Sequence, residues 1–78
     1  MYNIKLDLVE DLKGGRTSRY IAKILGVTEN YISTIFNGKF KCTKLIAVGI
    51  ISIRYNISIN HDNMENLLEK HFIYTITN

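Results

Sequence analysis

The chain has 78 residues, which fits one domain over residues 1–78 and is too short for a large catalytic cleft built over a deep core. Hydrophobic residues make up 46% of the chain, more than disordered sequences contain, so we expect it to fold. No apolar run reaches transmembrane length, and the single cysteine, Cys42, has no partner for an internal disulfide. These features predict a cytoplasmic protein that is not an enzyme and that binds no metal, cofactor or small-molecule ligand.

The net charge of +3 is concentrated in the middle of the chain. Residues 16–55 carry seven basic side chains against one acidic side chain, Glu29, which gives this segment a charge of +6. Residues 1–15 and 56–78 each contain more acidic than basic side chains. The basic charge therefore lies in the segment that also carries the turn and helix signals described next.

The N-terminal part of the chain predicts two helices separated by glycines. Residues 3–13 are expected to form an amphipathic helix that ends at Gly14 and Gly15. Its apolar side consists of Ile4, Leu8 and Leu12. A second helix is expected to have Thr17 as its N-cap and to end at Gly26. Its buried side is expected to consist of Ile21, Ala22, Ile24 and Leu25.

A third helix, over residues 28–37, is predicted to have one buried side and one outward side. Thr28 is its expected N-cap, and Gly38 is the residue expected to end it. The buried side consists of Ile32, Ile35 and Phe36. The outward side consists of Asn30, Thr34 and Asn37, whose polar side chains are free to contact a partner.

A fourth helix is expected after its N-cap Thr43, and it leaves two questions open. Its many β-branched residues also fit a strand, although its length and its cap favour a helix. Its apolar residues lie on two opposite sides, one formed by Ile46, Ile50, Ile53 and Ile57 and the other by Val48, Ile51 and Tyr55. The second side belongs either to the intramolecular core or to a contact with a second copy of the chain.

The C-terminal segment 60–78 predicts a fifth helix and a β-prone tail. Asp62 and Glu65 have the spacing of a capping box at the start of this helix. Its expected apolar residues are Met64, Leu67, Leu68 and Phe72. The tail is expected to join the core of its own chain or, as an edge strand, to pair with a second copy.

Reactive side chains are few, and they form no pattern that is typical of a catalytic or metal site. His61, Asp62 and His71 are expected to be ordinary surface residues, because no cysteine or serine constellation accompanies them. Cys42 is expected to be a small loop or core residue. The alternative for Cys42 is a thiol whose pKa is lowered by the two neighbouring lysines.

Residues 17–38 combine capping, small and apolar residues at fixed spacing, namely Thr17, Ile21-Ala22, Gly26-Val27-Thr28, Ile32-Ser33 and Asn37-Gly38. This pattern resembles the helix-turn-helix of the Cro and phage-repressor type, the XRE-like family. The resemblance implies an all-α, compact five-helix domain with a short β-prone C-terminal tail. It also implies that the third helix is a recognition helix for the major groove of DNA.

The resemblance further implies two groups of DNA-contacting residues. Those expected to read base edges are Glu29, Asn30, Ser33 and Thr34. Those expected to hold phosphates are Thr17, Ser18, Thr28, Tyr31, Asn37, Lys39, Lys41 and Lys44. The chain departs from the family at Ser18, where glutamine is frequent, and at Phe36 and Asp11, where an ion pair is common. The loss of both members of that pair avoids a lone buried charge.

We therefore expect a sequence-specific, double-stranded DNA-binding transcriptional regulator, a repressor or Cro-like protein, at the nucleoid of a bacterial or phage-infected cell. It is expected to act as a homodimer, with contacts at Val48, Ile51, Tyr55, Phe72 and Tyr74. The alternative is a phage-type antirepressor or an anti-CRISPR-type inhibitor that uses the same fold to bind a protein or ribonucleoprotein. The carboxylate of Glu29 supports this alternative, because DNA phosphates repel it.

Overall fold

The computed structural model describes residues 1–13 and 18–76. Within this part of the chain the elements are β1 (Tyr2–Ile4), α1 (Leu6–Lys13), α2 (Ser18–Leu25), α3 (Glu29–Phe36), α4 (Lys44–Tyr55), α5 (Met64–His71) and β2 (Phe72–Tyr74). The fold is dominated by α-helices, as predicted, with a short two-stranded sheet in addition. The predicted helix end at Gly14 and Gly15 and the predicted cap at Thr17 lie outside the described residues.

The first helix is shorter than predicted because the residues before it form a strand. Ile4 belongs to β1, where it pairs with Phe72 of β2, and its side chain is buried. The prediction of a helix over residues 3–13 was therefore wrong at its N-terminal end. Helix α1 begins at Leu6 and buries Leu8 and Leu12, so the four-residue spacing is kept for those two side chains.

Ile73 and Tyr74 of the predicted tail, together with Phe72, form the second strand of an antiparallel sheet within the same chain. Tyr2 pairs with Tyr74 in the register of β1 and β2, and Met1 and Thr75 extend the ladder with two backbone hydrogen bonds. On the other side of β1, Tyr2 and Cys42 exchange two backbone hydrogen bonds of 2.7 Å. Strand β1 is therefore central, and within the described residues the outer edge of β2 has no strand partner.

Helix α4 has both of its apolar sides covered by the rest of the chain. It packs against α2, α5 and β1, and its buried residues are Ala47, Val48, Gly49, Ile50 and Ile51. Thr43 caps it, since the side-chain oxygen accepts a hydrogen bond from the backbone N–H of Ile46. The helix prediction for this segment is confirmed, and the strand alternative is wrong. The second apolar side of α4 therefore belongs to the intramolecular core and not to a contact with a second copy of the chain.

Helix α2 buries a narrower side than predicted. Ile21, Ala22 and Leu25 lie within one arc of the helix and pack towards the core, whereas Ile24 is exposed. Ile24 is exposed because, at 100° per residue, its side chain lies about 110° around the helix from the centre of that arc. At Gly49 of α4, a Cβ atom would lie 2.6 Å from Cδ2 of Leu25, so the two helices approach closely.

Helix α5 begins without the predicted capping box. The N-cap of α5 is Asn63, whose side chain makes no capping hydrogen bond. Instead, Oδ1 of Asn63 accepts a hydrogen bond from Nδ2 of Asn66 at 2.8 Å. The prediction for Asp62 and Glu65 was therefore wrong. Among the described residues, no helix has both the length and the apolar character needed to cross a membrane.

Candidate nucleic-acid interface

A three-residue turn of Gly26, Val27 and Thr28 connects α2 to α3. Gly26 has a φ of +73°, a conformation that favours glycine, and Val27 N–H donates to the carbonyl of Ala22 at 3.0 Å. The Oγ1 atom of Thr28 accepts a hydrogen bond from Tyr31 N–H at 3.1 Å, which confirms Thr28 as the N-cap. The end of α2 and the start of α3 are thus fixed by local hydrogen bonds.

Helix α3 turns its apolar side to the core and its polar side to solvent. Ile32 and Ile35 are fully buried, while Glu29, Asn30 and Asn37 are exposed. Ser33 and Thr34 are half-buried beside them. The structure therefore brings the predicted base-reading residues together on one eight-residue helix, on which Asn30 is exposed.

The hydroxyl of Thr34 is used within its own helix. It donates a hydrogen bond to the carbonyl oxygen of Asn30 at 2.6 Å. Because its single proton is engaged, Thr34 offers a partner its oxygen lone pairs and its methyl group but no donor. A methyl group matches the C5-methyl of thymine, so of the base contacts open to threonine this apolar one fits best.

Glu29 lies at the start of α3 beside a basic residue of α2. Its Oε2 atom is 4.0 Å from Nε of Arg19, and both side chains are mostly exposed, at 58% and 86%. Such a loose, solvated pair stabilises the fold little. The guanidinium nevertheless offsets part of the negative charge that Glu29 places on the outward side of α3.

The loop after α3 continues the polar surface with two lysines. Gly38 has a φ of +75°, and its N–H donates to the carbonyl of Ile35, so it ends the helix as predicted. Lys39 and Lys41 are exposed, and neither has an acidic side chain within 4.0 Å among the described residues. Both ammonium groups are therefore available to anions.

Lys44 differs from these two lysines because it is already paired. Its Nζ atom lies 2.7 Å from Oε1 of Glu65 in α5, and this hydrogen bond raises the pKa of Lys44. A phosphate would have to compete with the carboxylate of Glu65. Sequence reasoning missed this pair because the fold, not local spacing, brings the start of α4 next to α5.

The remaining predicted phosphate contacts are spread over the ends of α2 and α3. Ser18 is the first residue of α2 and is half-buried, and Asn37 follows α3 as its C-cap. Tyr31 is half-buried and packs against the core, which leaves part of its side chain exposed. Thr28 is exposed, and as a cap its hydroxyl accepts and still has a proton to donate. Thr17 lies outside the described residues.

Comparison with known proteins leaves the family open. No family model matches this chain. No curated protein and no solved structure matches it either.

Most residues of the predicted dimer surface lie inside the single chain. Val48, Ile51 and Phe72 are less than one-tenth exposed, and Tyr55 is half-buried with its hydroxyl at His71. The prediction is corrected for Val48, Ile51 and Phe72, which a second copy cannot reach in this arrangement. The fifth residue, Tyr74, is exposed on β2 and remains accessible.

The structure also gives the environments of three further side chains, of which Cys42 is buried as expected of a core residue. Asp11 forms an ion pair with Arg54 of α4, and this hydrogen bond lowers the pKa of Asp11. His71 is 4% exposed, so its prediction as a surface residue was wrong. Burial raises the pKa of the Cys42 thiol to about 11, which excludes the alternative of an activated thiol at neutral pH.

Proposed function

We propose that this chain is a sequence-specific, double-stranded DNA-binding transcriptional regulator of repressor or Cro-like type. The observation that supports it best is the two-sided α3, whose Ile32 and Ile35 are fully buried while Asn30 stands in solvent. A helix held in this way presents polar side chains on a rigid support, which major-groove reading requires. The two unpaired lysines of the following loop supply charge for the phosphates beside the groove.

Asn30 is the main base-reading residue in this proposal. Its exposed amide both donates and accepts, which matches N7 and N6 of adenine, and such a bidentate contact is worth about 1–3 kcal/mol of discrimination. Thr34 contributes its methyl group to thymine. Glu29 accepts from N4 of cytosine, with Arg19 beside it to reduce repulsion from phosphates.

Lys39 and Lys41 are the main phosphate contacts, with backbone and hydroxyl groups at the ends of α2 and α3 in support. Each neutralised phosphate releases counterions, so the affinity should fall with salt by about 0.9 logarithmic units per phosphate and per decade of salt. Lys44 contributes less than these two lysines because Glu65 already holds its ammonium group.

The proposed regulator acts as a homodimer through the outer edge of β2. In the β1–β2 ladder, the backbone of Thr75 faces Met1 and that of His71 faces Lys5. Because hydrogen-bonding direction alternates along a strand, the backbone of Tyr74 points away from β1. A second copy can pair there about a two-fold axis, and binding to two half-sites one helical turn apart would require the two recognition helices to lie about 34 Å from each other.

A gel shift with DNA from upstream of its own gene, titrated with salt and with unrelated competitor duplex, tests this function. We expect a complex that survives excess competitor at nanomolar protein and weakens steeply with salt. A Lys39→Ala/Lys41→Ala double variant should weaken binding to all duplexes. A matched control, Lys70→Ala, removes one exposed lysine outside the proposed interface and should bind like the parent.

A second candidate function is favoured by Glu29, whose carboxylate is 58% exposed on the outward side of α3. In this candidate the chain is a phage-type antirepressor or an anti-CRISPR-type inhibitor, and α3 contacts a basic protein or ribonucleoprotein surface. If the gel shift gives no competitor-resistant complex, this candidate replaces the first one. Its partner would then bind the Glu29→Gln variant less tightly than the parent.

A further inference from the structure

Phe40 lies between the two unpaired lysines of the loop and has its side chain in solvent. The chain contains three phenylalanines, and Phe40 is the exposed one, at 55%, whereas Phe36 is half-buried and Phe72 is buried. Its phenyl ring has no polar group that could form a hydrogen bond with water. Single exposed apolar residues are common on protein surfaces, so exposure alone has no meaning. Phe40 differs from other exposed apolar residues in the fixed backbone of its loop and in the two lysines next to it.

The backbone of this loop is held at both ends. The carbonyl oxygen of Thr34 in α3 accepts hydrogen bonds from the N–H groups of Lys39 at 3.1 Å and Phe40 at 3.4 Å. Two residues later, Cys42 is fixed to Tyr2 by two hydrogen bonds of 2.7 Å. The backbone of the loop is therefore positioned by α3 on one side and by β1 on the other.

The lysines next to Phe40 in the sequence favour an anionic partner. Residues 39–44 contain three lysines and no acidic residue, and the flanking Lys39 and Lys41 have no acidic partner among the described residues. An apolar residue whose two neighbours in the sequence carry unpaired ammonium groups does not fit a hydrophobic protein surface, because desolvating the unpaired lysines would oppose docking. It does fit a surface on which anionic groups alternate with apolar rings. The sugar–phosphate backbone of DNA has this alternation.

We propose that Phe40 packs against a deoxyribose ring of the DNA backbone while Lys39 and Lys41 bind the phosphates on its two sides. This inference rests on the proposed DNA binding, and it assigns to the loop an apolar contact in addition to the ionic ones. The contact reads no base. It adds affinity that is independent of sequence and, unlike the lysine contacts, releases no counterions.

Because the chain has no tryptophan, a Phe40→Trp variant carries a single reporter whose fluorescence can be excited apart from the tyrosines. We expect addition of duplex DNA to shift its emission to shorter wavelength with little quenching, since the indole leaves water for a sugar ring. The matched control is Ile59→Trp, because Ile59 is 52% exposed and belongs to the connection between α4 and α5 and not to the loop after α3. Its emission should not change.

Binding titrations of Phe40→Ala and Phe40→Leu complete the test. We expect Phe40→Ala to weaken binding to every duplex by about tenfold, which corresponds to burying part of one phenyl group, without changing the salt slope. Phe40→Leu keeps an apolar side chain and should lose less. Circular dichroism should show both variants folded, because Phe40 is 55% exposed and does not belong to the buried core.

The outcomes separate this inference from the function on which it rests. If the parent chain binds duplex DNA but Phe40→Ala binds equally well, the sugar contact is wrong and the DNA-binding function stands. Strong quenching of Phe40→Trp would mean stacking on a base, which also overturns the sugar contact. If the parent chain binds no duplex at all, the proposed function itself fails, and the inference fails with it.

Discussion

The hydroxyl oxygen of Tyr55 lies 2.5 Å from Nε2 of His71 and joins the end of α4 to the end of α5. On the other side of the same imidazole, Nδ1 lies 3.3 Å from Oδ2 of Asp7 in α1. His71 is followed directly by β2, and its backbone carbonyl accepts from the N–H of Lys5. This buried histidine therefore connects α4 to α5 and the sheet, and it lies beside Asp7 of α1.

Tyr55→Phe removes the hydroxyl and leaves Nε2 of His71 in a buried site without this partner. We expect the free energy of unfolding at pH 7.5 to fall by about 1–2 kcal/mol, since a buried polar atom that loses its partner keeps its desolvation cost. Urea denaturation followed by circular dichroism measures the change. Tyr74→Phe, which removes a hydroxyl from an exposed side chain, is the control and should leave the midpoint unchanged.

The stability of the fold should depend on pH through His71. Burial lowers the pKa of His71, and the carboxylate of Asp7 opposes this only in part. The unfolded chain, with an ordinary histidine pKa of about 6.5, therefore takes up the proton at a higher pH than the folded chain. Stability is present in full above about pH 6.5 and is lost as the pH falls from there through the lower folded pKa.

We expect the urea midpoint of the parent chain to decrease between pH 7.5 and pH 5.5. His71→Gln keeps a polar group near Tyr55 but does not titrate, so its midpoint should change less over the same interval. Equal pH dependence in the parent and in His71→Gln would show that His71 is not the responsible group.

The junction at His71 could not be predicted from the sequence. His71 lies among polar residues of α5, and its partners belong to α1 and α4, so no local spacing connects them. The same reason explains why the pair of Asp11 with Arg54 was missed. Contacts between side chains that are far apart along the chain depend on how the helices pack, and periodicity contains no information about that packing.

Gly38→Ala should destabilise the fold through the backbone alone. A Cβ atom at Gly38 would meet no atom within 4 Å, so its cost comes from the φ of +75° and amounts to about 1–2 kcal/mol. Thermal denaturation measures the loss. Gly38→Asn should cost less, because asparagine tolerates the left-handed conformation better than alanine. A parent-like melting temperature for Gly38→Ala would contradict the role of this glycine in ending α3.

Glu65→Gln should strengthen DNA binding under the proposed function. The substitution removes the carboxylate that holds the ammonium group of Lys44, so this lysine becomes available to a phosphate. We expect affinity to rise several-fold at low salt and the salt slope to steepen by up to about one phosphate equivalent, or 0.9 logarithmic units per decade. Glu69→Gln changes the net charge equally but frees no lysine ammonium group, and should have the smaller effect.

Asn30→Ala and Lys41→Ala should affect DNA binding in different ways. Asn30→Ala removes an exposed amide from the outward side of α3, so we expect a loss of about 1–3 kcal/mol on the preferred site and little change on other duplexes. Lys41→Ala removes a phosphate contact and should weaken all duplexes alike. Anisotropy titrations against a preferred and a scrambled duplex distinguish the two. Parent-like binding by both variants would show that α3 and its loop are not the DNA surface.

Local signals predicted those parts of the interface that depend on neighbouring residues. Helix caps and helix-ending glycines act within a few residues of their own positions. The structure confirms the predicted N-caps, Thr28 and Thr43, and the predicted helix-ending glycines, Gly26 and Gly38. Strand β1 was missed because Ile4 also satisfies the four-residue spacing of α1. Its strand character depends on β2, at the opposite end of the chain, which sequence patterns do not connect to it.

The position of β1 also determines the order in which the fold can assemble. The sheet joins Met1 to Thr75, which are 74 positions apart, whereas α2 and α3 are joined by a three-residue turn. Because long loops cost more entropy to close, the helical pair should form early and the sheet last. Strand β1 also forms backbone hydrogen bonds with Cys42. Transient opening of the sheet would therefore release one end of the loop that carries Lys39 and Lys41. Amide hydrogen exchange at Tyr2 and Cys42 should therefore occur together, as one cooperative unit.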